Sequence, residues 1–290
     1  MTSTTTSRLE IRPLSPALGA EIRGVDLAQA IDDATFGEIL RAWHDHGLIL
    51  LRGQSFSEDQ QVDFGRRFGE VAPWSRFAAK EKGRHPYIML VTNLKENGEF
   101  VGSLPEGEIE FHSDGIYIET PSAGTMLHAV AIPSRGGQTA FASMYKAYET
   151  LTAEMKARLE GLKARHAFTY NSQKQNENDE KKAAPIKSEG DVVSYDHPVV
   201  RTHPATGRKA LYVNRLMTER IVGLPDDESR AILDKLFAHI ETPDFIYEHE
   251  WQVGDVLLWD NRCLVHARRD FPAQELRLMR RLTIAGEKPA

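Results

Sequence analysis

The chain has 290 residues, of which 41% are apolar and 27% charged, an ordinary balance for a globular protein with room for a sizeable core. Its formal net charge of −6 is spread without any long basic block, which argues against nucleic acid as a partner. No stretch of 18 or more apolar residues is present, so no membrane span is expected, and one cysteine, Cys263, excludes an intrachain disulfide and fits a reducing cytoplasm.

The start, Met-Thr-Ser-Thr-Thr-Thr-Ser, lacks the basic and apolar regions of a secretory signal and reads as a short lead. Residues 8–27 carry short apolar runs broken by Pro13, Pro16, Gly19 and Gly24, the pattern of short strands and turns. Asp33 is placed to cap a helix over 35–46, where Phe36, Ile39, Leu40 and Trp43 recur at helical spacing before Gly47. Leu48–Leu51 reads as a buried strand, and Ser57 caps a second helix that ends at Gly69. Residues 72–110 look irregular except for a strand over 87–91, and 171–191 are polar; both are candidate lids on a single domain spanning 1–290. Strand-like runs over 111–143 precede a helix over 145–162. A hairpin follows, 198–203 with 209–213, then a helix over 225–240 and strands over 245–251, 256–259, 264–267 and 276–284. Helices and strands do not alternate strictly. The expected fold is therefore mainly β and antiparallel, with flanking helices, not a doubly wound parallel sheet.

Three clusters carry chemistry. In Phe111-His112-Ser113-Asp114, strand geometry puts His112 and Asp114 on one side with Ser113 facing away, which supplies two of the three groups of a facial triad for iron(II). His239-Ile240-Glu241 has the same spacing but ends a helical pattern, where such residues do not face each other, so it reads as a helix-terminal cation. The second cluster, Trp259-Asp-Asn-Arg262, leads through a short apolar run to His266. The third is Leu276–Ile284: as a strand it puts Arg277 and Arg281 on one face, suited to gripping carboxylates or sulfonates, or else it is a solvated basic edge. His44, His46, His85, His166, His197, His203 and His249 read as ordinary core or surface histidines, His128 stays open, and Cys263 reads as a small buried hydrophobe. Tyr87, Phe100 and Tyr117 suit an apolar pocket or plain core equally.

Further motifs stand in order along almost the whole chain: Leu18-Gly-Ala-Glu-Ile-Arg-Gly-Val-Asp-Leu27, His46–Gln54, Phe64–Glu70, Gly136-Gly-Gln-Thr139 and His197-Pro-Val-Val-Arg-Thr-His203. With the three clusters, they make the sequence resemble the taurine dioxygenase / 2,4-dichlorophenoxyacetate dioxygenase (TauD/TfdA) family of iron(II)- and 2-oxoglutarate-dependent oxygenases. The resemblance implies a double-stranded β-helix, or jelly roll (cupin-like), and Fe(II), 2-oxoglutarate and O2 as cofactor and cosubstrates. It implies His112, Asp114 and His266 as the iron ligands, and Thr139 and Arg277 as holders of the distal carboxylate of 2-oxoglutarate. Arg281 matches the residue that meets the substrate's anion. The implied reaction hydroxylates a small anionic organic molecule, of sulfonate, sulfate ester or aryloxyalkanoate type, next to a heteroatom, with release of succinate and CO2. Taurine users carry an asparagine four residues ahead of the first histidine ligand; here Glu108 stands there, and if it faces the pocket it repels a sulfonate and welcomes an amine. The same chemistry on an unrelated carboxylate or amino-acid-like metabolite is an alternative. A zinc hydrolase and a non-catalytic jelly-roll binding protein are rivals of other classes, and homo-oligomer formation is left open.

Overall fold

The computed structural model describes residues 9–73, 85–104, 107–168 and 192–290. The elements run β1 (Glu10–Pro13), β2 (Ala20–Arg23), α1 (Asp33–His46), β3 (Leu48–Leu51), α2 (Glu58–Arg66), β4 (Val71–Ala72), β5 (Met89–Thr92), β6 (Lys95–Glu96), β7 (Glu99–Phe100), β8 (Ile109–His112) and β9 (Gly124–Ala131). They continue with β10 (Thr139–Ser143), α3 (Met144–Glu149), α4 (Ala153–Leu159), β11 (Lys163–Ala167), β12 (Ser194–Pro198), β13 (Val200–Thr202), β14 (Lys209–Leu211), β15 (Thr218–Ile221), α5 (Asp226–Ile240), β16 (Ile246–His249), β17 (Val256–Asp260), β18 (Leu264–Arg268) and β19 (Leu278–Ile284). The protein is mainly β, as expected, and no helix among the described residues is long and apolar enough to cross a membrane.

Two antiparallel sheets dominate. The larger has the order β1-β2-β3-β17-β9-β19-β4, with β5 also on β19; among its described strands β2 and β3 are the one pair that runs parallel. The smaller has the order β16-β10-β18-β8. Strand periodicity divides the large sheet cleanly. Leu48, Leu50, Leu127, Leu257, Trp259 and Met279 point one way, into a core shared with Phe141 of the small sheet. Ile49, Leu51, Met126, Leu258, Leu282 and Ile284 point the other way, onto Phe36, Ile39 and Trp43 of α1 and Val62 and Phe64 of α2. A strand covered on both faces needs apolar residues at every position, which is why Leu48–Leu51 does not alternate. Thr125 and Arg281 fall on the face turned toward the small sheet; His128 and Arg280, paired in register, fall on the helix side.

Several sequence expectations need correction. Asp32, not Asp33, caps α1, its Oδ1 accepting from Thr35 N at 2.9 Å. The helix expected over 145–162 is two helices, because Thr152 accepts from Met155 N and starts a new one. Residues 72–110 are less irregular than they read. β5 joins the large sheet, and Asn97 and Gly98, both at positive φ, turn β6 into β7. These two-residue strands are charged and exposed, so no apolar alternation announces them. The sheet β12-β11-β15 was also not anticipated: its strands have few β-branched residues, and buried His166 and His197 occupy inward positions. The candidate lid at 171–191, and residues 74–84 and 105–106 of the other, lie outside the described residues.

Candidate active site

β8 and β18 are neighbours in the small sheet, and their register sets His112 directly opposite His266, with ring centroids 4.1 Å apart. Asp114 is not in the strand, as its spacing suggested. β8 ends at His112, and the chain turns through Gly115, at φ +71°. The turn still brings the carboxylate to the histidines: Oδ1 lies 3.9 Å from His112 Nε2 and Oδ2 3.9 Å from His266 Nε2. Ser113 does face away from them, its Oγ donating to the Asn261 carbonyl at 2.9 Å. All three groups are buried.

Their protonation follows from their surroundings. His112 Nδ1 lies 2.9 Å from the Glu110 carbonyl, which can only accept, so Nδ1 carries the proton and Nε2 presents a lone pair toward Asp114. Burial holds His112 below the usual histidine range; burial, then the neighbouring His112, holds His266 well below it. Burial alone would push the Asp114 carboxyl up, but Arg281, the two imidazoles and the Thr125 hydroxyl outweigh it and hold the group far below the ordinary carboxylate range. Two neutral imidazoles and one carboxylate, with donor atoms within 4.8 Å of one another, form the donor set of a two-histidine, one-carboxylate site for a divalent metal such as iron(II). His203, Asp260 and Cys263 also cluster, but His203 and a doubly bonded Arg262 already occupy Asp260, and burial pushes the thiol up. That cluster is a structural tie between the hairpin β13–β14 and β17.

A second layer fixes Asp114. Thr125 Oγ1 donates to its Oδ2 at 2.6 Å, Asn261 Nδ2 donates to Thr125 Oγ1 at 3.0 Å, and Trp259 Nε1 donates to Asn261 Oδ1 at 3.0 Å. The Trp259–Arg262 motif is thereby explained residue by residue. Thr125 carried no sequence signal, because its partners lie 11 and 136 residues away. Replacing Thr125 by valine keeps the shape and deletes the donor. The expected result is a Mn(II) dissociation constant raised about 10- to 100-fold, measured by titration calorimetry, in a folded protein whose melting temperature falls somewhat because buried Asn261 Nδ2 loses its acceptor.

Arg277 lines a cavity with Pro133, Gly137, Gln138 and Trp251. It precedes β19 instead of lying within it, and the register shifts between Leu278 and Met279, so Arg277 and Arg281 do not share one regular strand face as expected. Arg277 is only 2% exposed, its Nε has no partner, and no carboxylate among the described residues pairs with it. Burial, then the charge of Arg268, lowers its pKa to about 9. The Phe271 ring centroid is 5.8 Å from the guanidinium carbon, and Gly137, at φ +72°, lets the side chain pass where a Cβ would come within 3.2 Å of Nε. A buried cation without an anion fits a ligand carboxylate. Thr139 begins β10, two residues before Phe141 and on the same face, and its Oγ1 accepts from Trp251 Nε1 at 3.0 Å, leaving its own proton free to donate.

Arg281 points into the space between the sheets and pairs with Asp114, Nη2 to Oδ1 at 2.8 Å. Glu108 does not face this space: its side chain is 54% exposed and pairs with Arg269 at 3.0 Å, because Arg269 follows β18 on the outer rim. Of the three aromatic candidates, only Tyr117 is near, packed at a tilt against Phe168 with ring centroids 4.7 Å apart, its hydroxyl pKa raised by burial and by the Asp114 charge. Phe168 was not singled out in the sequence. Phe100 is exposed under Lys95, Tyr87 packs with the helix side, and His128 stacks on Phe56 there, away from the triad.

A family model described as "Taurine catabolism dioxygenase TauD, TfdA family" matches residues 10–283. The chain is 35% identical to an (S)-phenoxypropionate/alpha-ketoglutarate dioxygenase of Sphingobium herbicidovorans, over 96% of this chain and 95% of that protein. It is 33% identical to the pentalenolactone F synthase of Streptomyces arenae, over 97% of each. A crystal structure of a taurine dioxygenase from Burkholderia xenovorans superposes with a TM-score of 0.79 at 28% identity, covering 97% of this chain and 92% of that one. The chain belongs to the TauD/TfdA family of iron(II)- and 2-oxoglutarate-dependent dioxygenases.

Proposed function

We propose that this dioxygenase hydroxylates a small anionic organic substrate, of aryloxyalkanoate, sulfate ester or sulfonate type, at a carbon next to a heteroatom. His112, Asp114 and His266 hold iron(II). Thr139 and Arg277 hold the distal carboxylate of 2-oxoglutarate. Arg281 receives the substrate's anion, and Tyr117 with Phe168 offers its apolar part a wall. The two sheets then act as the halves of a double-stranded β-helix with the reaction space between them, in a protein of the cytoplasm. Iron(II), with O2 and 2-oxoglutarate, supplies the oxidising power: one oxygen atom enters the substrate C–H bond and the other enters succinate as CO2 leaves. The chain's own residues orient both organic molecules and exclude water.

The observation that carries this reading is the buried donor set His112–Asp114–His266 in a chain that also buries a guanidinium, that of Arg277, with no anion among the described residues. A zinc hydrolase gives Arg277 no task, and a binding module gives the triad none. With Glu108 on the surface, the expected repulsion of sulfonates and welcome for amines both lose their basis, and sulfonates stand level with the other anions.

The test is succinate release with Fe(II) and 2-oxoglutarate across a panel of aryloxyalkanoates, alkyl sulfates and sulfonates. At least one is expected to stimulate succinate release well above the uncoupled rate. In Arg281→Ala its KM rises about tenfold or more, while the KM for 2-oxoglutarate stays within about twofold, the loss of one charge-assisted contact. Efficient turnover of an uncharged compound, unaffected by that substitution, refutes the assignment of Arg281.

A further inference from the structure

Both oxygens of Asp114 are engaged, but by partners of different kinds. Oδ2 accepts from the Thr125 hydroxyl, a short neutral donor on a central strand that Asn261 in turn holds. Oδ1 accepts from Arg281, a cation on a long stem. The only other polar contact of that guanidinium among the described residues is Met89 Sδ, 3.9 Å from Nη1 and a weak acceptor. The Arg281 side chain is 19% exposed, against 11% for Asp114, so the cation lies on the more open side of the carboxylate.

Among the described residues Arg281 thus has one anion to satisfy it, and a divalent metal entering the triad requires the same one. Two cations at one buried carboxylate repel each other with little screening. An anion that engages the guanidinium from the open side removes both the repulsion and the competing hydrogen bond. From this geometry we infer that Arg281 couples the metal site to the substrate site: paired with Asp114 it weakens metal binding, and the substrate's anion relieves it. Metal and substrate then tighten each other's binding by the same factor, because coupling between two sites is reciprocal. The inference rests on the reading that the triad holds the metal and Arg281 meets the substrate.

The test measures Mn(II) dissociation constants by titration calorimetry, without 2-oxo acid and hence without turnover. Arg281→Gln is expected to bind Mn(II) about tenfold tighter than the wild type, within the usual range of coupling between sites. Arg281→Lys, which keeps a cation but loses the fork, falls between them. Phenoxyacetate, methyl sulfate and methanesulfonate are then added separately at saturating concentration. At least one is expected to tighten Mn(II) binding several-fold in the wild type and to leave Arg281→Gln unchanged. Equal or weaker Mn(II) binding in both variants overturns the coupling, as does an anion effect of the same size in Arg281→Gln, or none with any anion. If His266→Ala binds Mn(II) as tightly as the wild type, the metal site itself is misassigned and the coupling falls with it; that outcome is distinct from the others.

Discussion

Substituting alanine for His266 is expected to leave a folded protein that releases no succinate above background with any substrate and binds Mn(II) too weakly to measure. The reasons for both halves are local. His266 Nδ1 has no hydrogen-bond partner, and Nε2 lies 3.9 Å from Asp114, so the substitution breaks no hydrogen bond within the chain. What it removes is ring packing against His112, Trp259 and Phe141, with centroids at 4.1, 4.6 and 6.2 Å, a loss of a few side-chain contacts beside a large core. The metal loses one of three protein donors, and no other histidine, cysteine or carboxylate among the described residues completes that cluster. Asp114→Ala should be equally inactive but less stable, because it leaves Arg281 beside the imidazoles without its anion. Circular dichroism melts beside succinate assays check both. Activity surviving in His266→Ala would remove it from the triad.

Arg277→Met is expected to raise the KM for 2-oxoglutarate at least thirtyfold, while the melting temperature stays level or rises. Loss of a buried charged contact costs about 2–5 kcal/mol, and the lower end of that range corresponds to about thirtyfold. Stability moves the other way because the guanidinium is buried with no carboxylate to pair with among the described residues, a charge that folding has to desolvate without return. Methionine fills a similar volume without the charge. Gly137→Ala is a gentler version: its Cβ would sit 3.2 Å from Arg277 Nε in a backbone conformation that side chains disfavour, so it displaces the same group indirectly. An unchanged KM in Arg277→Met would mean that the cosubstrate is anchored elsewhere.

The parts of this site that could be read from the sequence are those whose signal is local. His112 and Asp114 lie in one short run, and the Trp259–His266 run carries both a structural knot and a candidate ligand. Other features depend on contacts that no local pattern encodes. His112 meets His266 only because β8 and β18 pair across 154 residues. Thr125 reaches Asp114 from the opposite sheet. Glu108 is held on the surface by Arg269, a partner 161 residues away. Local reasoning also put Asp114 in a strand, because alternation over three residues cannot distinguish a strand from the turn that ends it. The helix side of the large sheet was the easiest part to foresee, since α1 and α2 carry both apolar periodicity and caps.

The strand order of the large sheet bears on how the protein comes to exist. β17 lies between β3 and β9, and β19 pairs with β9 on one side and with β4 and β5 on the other, so strands from residues 256–284 fill positions in the middle of a sheet whose other strands all precede residue 132. During synthesis, β3 and β9 emerge long before the strand that joins them, with their hydrogen-bonding edges open and their apolar faces unmatched. The two parts of the sheet cannot join until β17 has left the ribosome, and β18 brings His266 directly after it. The candidate metal site therefore cannot assemble before β18 has emerged and paired with β8. An occupied triad would report that the chain has been made at least as far as β18 and that β18 has found β8.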